Sequence, residues 1–178
     1  MRVRSFMQHT PKIGKNVYID EMAVIIGNVR IDDETSVWPF ASIRGDVHQI
    51  TIGHRTSIQD GSVLHVTHDS QYHPGGAPLQ IGNDVTVGHR ATLHACTIHD
   101  FCIIGMGAIV LDNAIIQQDV ILAAGALVPP GKILESGYLW VGAPAIRKRP
   151  LTKEELAFIR YSAASYVKLK NNYLSQKK

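Results

Sequence analysis

Nine histidines in 178 residues give this chain an unusual supply of imidazole, and His65, His89 and His94 stand at a spacing that could serve a metal ion. Neutral imidazole binds zinc at Zn–N distances of about 2.0–2.1 Å. Three imidazoles suit cobalt or ferrous iron as well, so Zn2+, Fe2+ and Co2+ all remain open on ligand type alone. The pattern H-x-x-x-x-H from His89 to His94 arises often by chance, and most histidines are ordinary surface residues. The weight of the triplet depends on the elements that carry it.

Those elements follow from a repeat. Ile13, Ile19, Ile25, Ile31, Val37 and Ile43 recur every six residues, and the phase resumes at Ile52, Ile58 and Leu64, again at Ile81, Val87 and Leu93, and then runs from Ile98 to Val128. A small or apolar residue often sits four places on, as Ala23, Ala41, Ala91, Cys102, Ala108, Ala114 and Ala126 do, and a glycine often follows directly, as at Gly53, Gly82, Gly88 and Gly105. Six fits neither the helical 3.6 nor the simple alternation of a hairpin, but it fits a hexapeptide β-helix in which three repeats close one triangular coil. The eighteen lattice aliphatics predict about six coils over residues 1–150, with a loop insertion at 66–80. Pro150 is expected to stop the coil. Thr152 and Glu155 form a capping-box pattern, and Leu156, Ile159, Ala163, Tyr166 and either Leu169 or Lys170 recur at helical spacing, so residues 151–178 should carry one amphipathic helix from about 152 to 173 packed along the prism.

On this lattice His65 follows Leu64 and His94 follows Leu93, both on the third face of successive coils. They share one column and should lie about one strand spacing, roughly 4.8 Å, apart. His89 stands two residues after Val87, on the second face. Five extended residues span about 16 Å around a corner, whereas two imidazoles reaching for one ion bridge about 12 Å between Cα atoms. One chain therefore cannot supply all three ligands, and a threefold homotrimer, in which the second face of one subunit meets the third face of the next, can. Arg44 shares the column of His65 and His94, and Asp60 that of His89, so Arg44 is expected to face Asp60 of a neighbouring subunit.

Composition narrows the remaining classes. The chain carries 18 basic and 15 acidic residues, with dense basic stretches only at 147–149 and in the tail from 168 onward, which argues against a nucleic-acid surface. No apolar run follows the arginines at the start and none is long enough to span a bilayer, so a cytoplasmic home away from membranes is expected. Cys96 and Cys102 do not make a C-x-x-C pair or a disulfide framework and are expected to be reduced and structural.

The segments Arg44-Gly45-Asp46, Gln59-Asp60-Gly61 with Leu64-His65, and Gly88-His89 through His94 resemble the motif series of gamma-class carbonic anhydrases. The resemblance covers nearly the whole chain. It implies a left-handed β-helix, a homotrimer and zinc held by His65, His89 and His94 with an open position for water. It further implies reversible hydration of carbon dioxide to bicarbonate by a zinc-bound hydroxide. Gln59 would hydrogen-bond the water or bicarbonate, Arg44 and Asp60 would shape the anion pocket, Asp46 would stabilise the subunit contact, and Tyr166 matches the family's site tyrosine. Three positions depart from the archetype: Val47 replaces a glutamate, His68 stands where the proton-shuttle glutamate would be, and Lys168 replaces an asparagine. His68 is thereby a candidate shuttle, its imidazole titrating near neutrality. His9, His48, His54 and His99 are expected to be surface or interface residues. Two other readings compete: a hexapeptide acyltransferase or thioesterase acting on a coenzyme A ester, encouraged by Gly142-Ala143-Pro144-Ala145, and a metal-stabilised trimer that catalyses nothing.

Overall fold

An aliphatic side chain every six residues can be buried only if successive short strands turn the same way, and the chain does this. The computed structural model, which describes residues 2–176, is a parallel β-solenoid with a single helix laid along it. Its core is the lattice: Ile25, Ile43, Ile58, Leu64, Val87, Leu93, Ile104, Val110, Ile116, Leu122 and Val128 are fully buried. The small residues four places on, Ala23, Ala41, Ala91, Cys102, Ala108, Ala114 and Ala126, are buried among them. Strands pair in parallel at the register the lattice requires, with Ile58 opposite Val87, Val87 opposite Ile104, Leu64 opposite Leu93 and Ile98 opposite Ile116. Six complete coils result, with partial turns at both ends: Val3 pairs beneath Ile25, while Leu134 and Trp140 extend the stack above Ile116 and Leu122.

The corners explain features that hydrophobic pattern alone leaves unread. Three residues after each first-face aliphatic, Asn16, Glu34, Arg55, Asp84, Phe101 and Asp119 adopt φ between +53° and +62°. The left-handed region costs a non-glycine residue about 1–2 kcal/mol. In return the corner N–H groups from Glu34 onward find the coil below, as Arg55 does with Asp33 O at 3.1 Å and Asp84 with His54 O at 2.9 Å. The glycine directly after an aliphatic has a different cause, close approach of the next coil: a Cβ on Gly105 would lie 2.4 Å from the Ala124 nitrogen.

Two interruptions leave the lattice intact. The first is absorbed within the continuous strand Ser42–Ile52, whose register against Val24–Ile31 shifts once. The second leaves the third face after His65 and is back by Leu79, since Leu79–Ile81 already pairs with Ile50, Thr51 and Ile52; the excursion is 66–78 rather than 66–80. At the far end the coil itself finishes with Tyr138–Val141, and Ile146–Pro150 folds back on it antiparallel, so the last edge is covered before Pro150 is reached.

The helix spans Lys153–Gln176, one turn beyond the expected end; residues 177 and 178 of the segment read as 151–178 lie outside the described residues. Its capping box forms as the sequence suggests, with Thr152 N donating to Glu155 Oε2 at 2.9 Å and Glu155 N to Thr152 Oγ1 at 3.2 Å. It packs on the second face over Tyr18–Ile19, Ser36–Val37, Ser57–Ile58 and Thr86–Val87. Ile159 and Ala163 are buried, and of the two candidates left open by helical spacing it is Lys170 that points inward, its Nζ donating to Glu34 Oε2 at 2.7 Å. Among the described residues no helix is long and apolar enough to cross a membrane. Cys96 and Cys102 are free and buried, and burial pushes the Cys102 thiol up to about 12, which leaves it unreactive.

Candidate metal centre

His65 and His94 end the neighbouring strands Val63–His65 and Thr92–His94 and are direct register partners. Their rings lie 5.2 Å apart, with His65 Nδ1 facing His94 Nε2 at 3.2 Å. The outer nitrogens are both taken by carboxylates: His65 Nε2 meets Asp46 Oδ1 at 3.0 Å, and His94 Nδ1 meets Asp112 Oδ1 at 2.6 Å. Burial opposes ionisation of both aspartates, but hydrogen bonds outweigh it, from His65 and Arg44 to Asp46 and from Thr67 and His94 to Asp112, holding both carboxyls below their ordinary value. An ionised carboxylate only accepts, so this network assigns the hydrogen to each outer nitrogen and, when both rings are neutral, a lone pair to each inner one. Burial, against the pull of the Asp46 hydrogen bond, lowers the His65 pKa and favours its neutral form.

Two lone pairs facing each other repel unless a cation lies between them. Two nitrogens about 2.0–2.1 Å from one tetrahedral ion would be about 3.3–3.4 Å apart, close to the separation found here. The donor set on this face therefore fits two corners of a tetrahedral metal site.

The other predicted residues gather on the second face. His89 Nδ1 meets Asp60 Oδ2 at 3.0 Å, with side chains 44% and 45% exposed. Gln59, next to Asp60, is buried and hydrogen-bonds the Tyr166 hydroxyl; burial and the nearby Asp60 charge raise that phenol's pKa while Gln59 works against them. Gln59, Gly88, His89, Met106 and Tyr166 line an open groove of about 450 Å³. Ser162 fixes the helix at this point through a 2.9 Å hydrogen bond with Thr86. Arg44 lies on the third face and pairs with Asp46 of its own chain, while His68 is exposed at the start of the 66–78 excursion. Among the described residues no group of three or more His, Cys, Asp or Glu side chains is arranged so that a single chain could hold a metal ion.

Known proteins give this arrangement a context. A family model described as bacterial transferase hexapeptide (six repeats) matches residues 10–45. Protein YrdA of Escherichia coli is 55% identical over 98% of this chain and 95% of its own. A protein of Methanocaldococcus jannaschii named probable carbonic anhydrase is 42% identical over 93% of this chain and 99% of its own. Mitochondrial gamma carbonic anhydrase 1 of Arabidopsis thaliana is 42% identical over 89% of this chain and 58% of its own. The chain belongs to the gamma carbonic anhydrase family. A crystal structure of a putative acetyltransferase from Bacillus cereus, 35% identical, superposes with a TM-score of 0.91 over 98% of this chain and 97% of that one.

Set against that family, the three departures lie on accessible parts of the molecule: Val47, His68 and Lys168 are all exposed. Asp46, which the resemblance places at the subunit contact, holds His65 directly within the chain. Asp112 and Thr67 escaped sequence reasoning altogether. Asp112 was accessible in principle, because it stands two residues after Val110, which pairs with Leu93 one coil away. Thr67 was not, because it is off the lattice.

Proposed function

We propose that this protein catalyses the reversible hydration of carbon dioxide to bicarbonate, using a zinc ion held at the subunit boundaries of a homotrimer by His65 and His94 of one chain and His89 of the next. The observation that carries the reading is the inward-facing pair of imidazole nitrogens, 3.2 Å apart, with both outer nitrogens held by carboxylates. His89 lies around the corner from that pair, and the chain-length argument assigns the third ligand to a neighbouring subunit. When bound by three imidazoles with one position open, zinc acidifies a water to near neutral pH and so supplies a nucleophile for carbon dioxide.

The chain's own groups have separable tasks. Asp60 Oδ2 lies 3.0 Å from His89 Nδ1 and so occupies that side of the ring, leaving Nε2 as the nitrogen free to ligate. The Gln59 amide, buried and braced by the Tyr166 hydroxyl, offers a fixed hydrogen bond to a substrate oxygen. The exposed Arg44 guanidinium places a positive charge beside His65 through Asp46, where it attracts the anionic product. His68 is accessible enough to pass a proton to buffer.

Metal-replete protein, prepared anaerobically so that a ferrous ion is not lost, should sediment as a trimer with about one metal per chain and accelerate carbon dioxide hydration in stopped flow. A monomer that retains zinc tightly, or a metal-replete trimer with no rate above buffer, sinks the reading. Unchanged proton-limited turnover in His68→Ala removes His68 from it. A second reading, acyl transfer from a coenzyme A thioester, is favoured by the transferase family model and by the name of the Bacillus cereus structure; turnover that requires an acyl thioester and proceeds without metal would establish it instead.

A further inference from the structure

Asp112 uses both of its oxygens. Oδ1 accepts from His94 Nδ1 at 2.6 Å, and Oδ2 accepts from the Thr67 hydroxyl. Thr67 is the second residue of the 66–78 excursion, whose two ends are clamped together by Thr67 N to Ala77 O at 3.1 Å and Ala77 N to Thr67 O at 2.9 Å. A second tie reaches the same corner, where His73 Nε2 and Asn113 Nδ2 lie 3.0 Å apart. The excursion is thus fastened at two adjacent residues, 112 and 113, immediately behind a ring that faces His65.

A carboxylate held through one oxygen can swing about its last torsion and take its partner ring with it. Held through both, it cannot. We propose that Asp112 and Thr67 are positioning residues for His94: Thr67 pins the carboxylate, the carboxylate fixes the Nδ1–H tautomer and the ring plane, and the 66–78 excursion thereby acts on the metal site without touching the ion. The consequence for metal binding rests on the reading that His94 is a ligand; the consequence for the tautomer does not. Carboxylates that accept the second N–H of a ligating histidine typically matter 10–100-fold in metal affinity.

The test uses the full-length protein and Asp112→Ala, Thr67→Val and Thr67→Ser. In metal-free samples, long-range proton–nitrogen spectra of the imidazoles should show His94 protonated at Nδ1 in the parent and in Thr67→Ser, and mixed or at Nε2 in Asp112→Ala. In competition with a chromophoric chelator, zinc affinity should fall about 10–100-fold in Asp112→Ala, by a smaller factor in Thr67→Val, and not at all in Thr67→Ser. Parent His94 protonated at Nε2, or Asp112→Ala binding zinc as tightly as the parent, overturns the proposal. If circular dichroism shows Asp112→Ala unfolded, the threonine pair decides: identical tautomer and affinity in Val and Ser variants overturns it. A parent that binds no zinc defeats the proposed function, while the imidazole spectra still judge the role of Asp112.

Discussion

On the third face two imidazoles stand opposite each other at 3.2 Å, each backed by a carboxylate with side-chain exposure of 16% or 27%, whereas on the second face His89 leans on an Asp60 that is 45% exposed. The first half-site is assembled by coil stacking: a parallel ladder in register brings residues one coil apart to within a strand spacing, and a column of like residues becomes a pair of facing imidazoles. The second is assembled by the corner and the helix, with Gln59 and Tyr166 braced beneath it. The comparison separates two imidazoles that the single chain preorganises from a third that, in the proposed function, a neighbour would bring.

The largest expected effect destroys both halves together. Ile104 is fully buried between Val87 and Leu122 in the ladder, below both faces. Ile104→Asp places an unpaired carboxylate among aliphatics, which should cost more than about 4 kcal/mol. Circular dichroism should show the cooperative thermal transition lost or moved far down; a variant melting within a few degrees of the parent would mean that the core is not shared.

Removing single ligands sharpens the distinction. His65→Ala leaves His94 and a neighbour's His89, which are preorganised by nothing within one chain, while His89→Ala leaves the pair His65 and His94 already facing each other. Both variants should lose tight zinc binding, by more than about 100-fold, since even an outer carboxylate matters 10–100-fold. The residual affinity should be higher in His89→Ala. Equal residual affinities by chelator competition would erase the difference between the faces.

The same contrast explains what could be read from the sequence. The six-residue period fixed which face each lattice residue occupies, and so placed His65 opposite His94, because in a solenoid register follows from counting. Counting also placed Asp60 and His89 in one column, and they do pair. It did not show that Arg44 would turn to Asp46 of its own chain, because the choice among nearby carboxylates depends on rotamers rather than period. Nor could it find the brace from Thr67, which lies in a segment with no repeat. Helical spacing could not choose between Leu169 and Lys170; the choice fell to Lys170 because Glu34 stands at a corner beneath the helix and offers a buried ammonium a carboxylate, leaving Leu169 at the surface.

A subtler change tests the bracing on the second face alone. Tyr166→Phe keeps the ring that packs against Trp38 at 6.1 Å but removes the partner of the Gln59 amide, which is only 4% exposed. An unsatisfied buried amide should cost about 1 kcal/mol, a fall of about 2–4 °C in Tm for a chain of this size. Metal-free imidazole spectra of His65 and His94 should not move. If they do, the two half-sites are coupled inside one chain and the comparison fails.

The smallest effect concerns how the helix that supports this face is started. Glu155 accepts from the Thr152 N–H at 2.9 Å and from Arg149 Nη1 and Nη2 at 2.7 and 2.8 Å. The Arg149 hydrogen bonds chiefly, and then the Thr152 N–H, draw the carboxyl down from an ordinary 4.5 to about 2. A carboxyl whose pKa falls on folding stabilises the fold above its unfolded value and loses that contribution as pH drops through its folded one. The Tm difference between parent and Glu155→Gln should therefore be constant above pH 4.5 and close progressively toward pH 2. It should also be modest, because the cap lies at the solvent and ion pairs there are screened, while Ile159, Ala163 and Lys170 dock the rest of the helix. A difference of the same size at pH 3 and pH 7 would show that the Glu155 charge is not what starts the helix, leaving the second face to depend on burial alone.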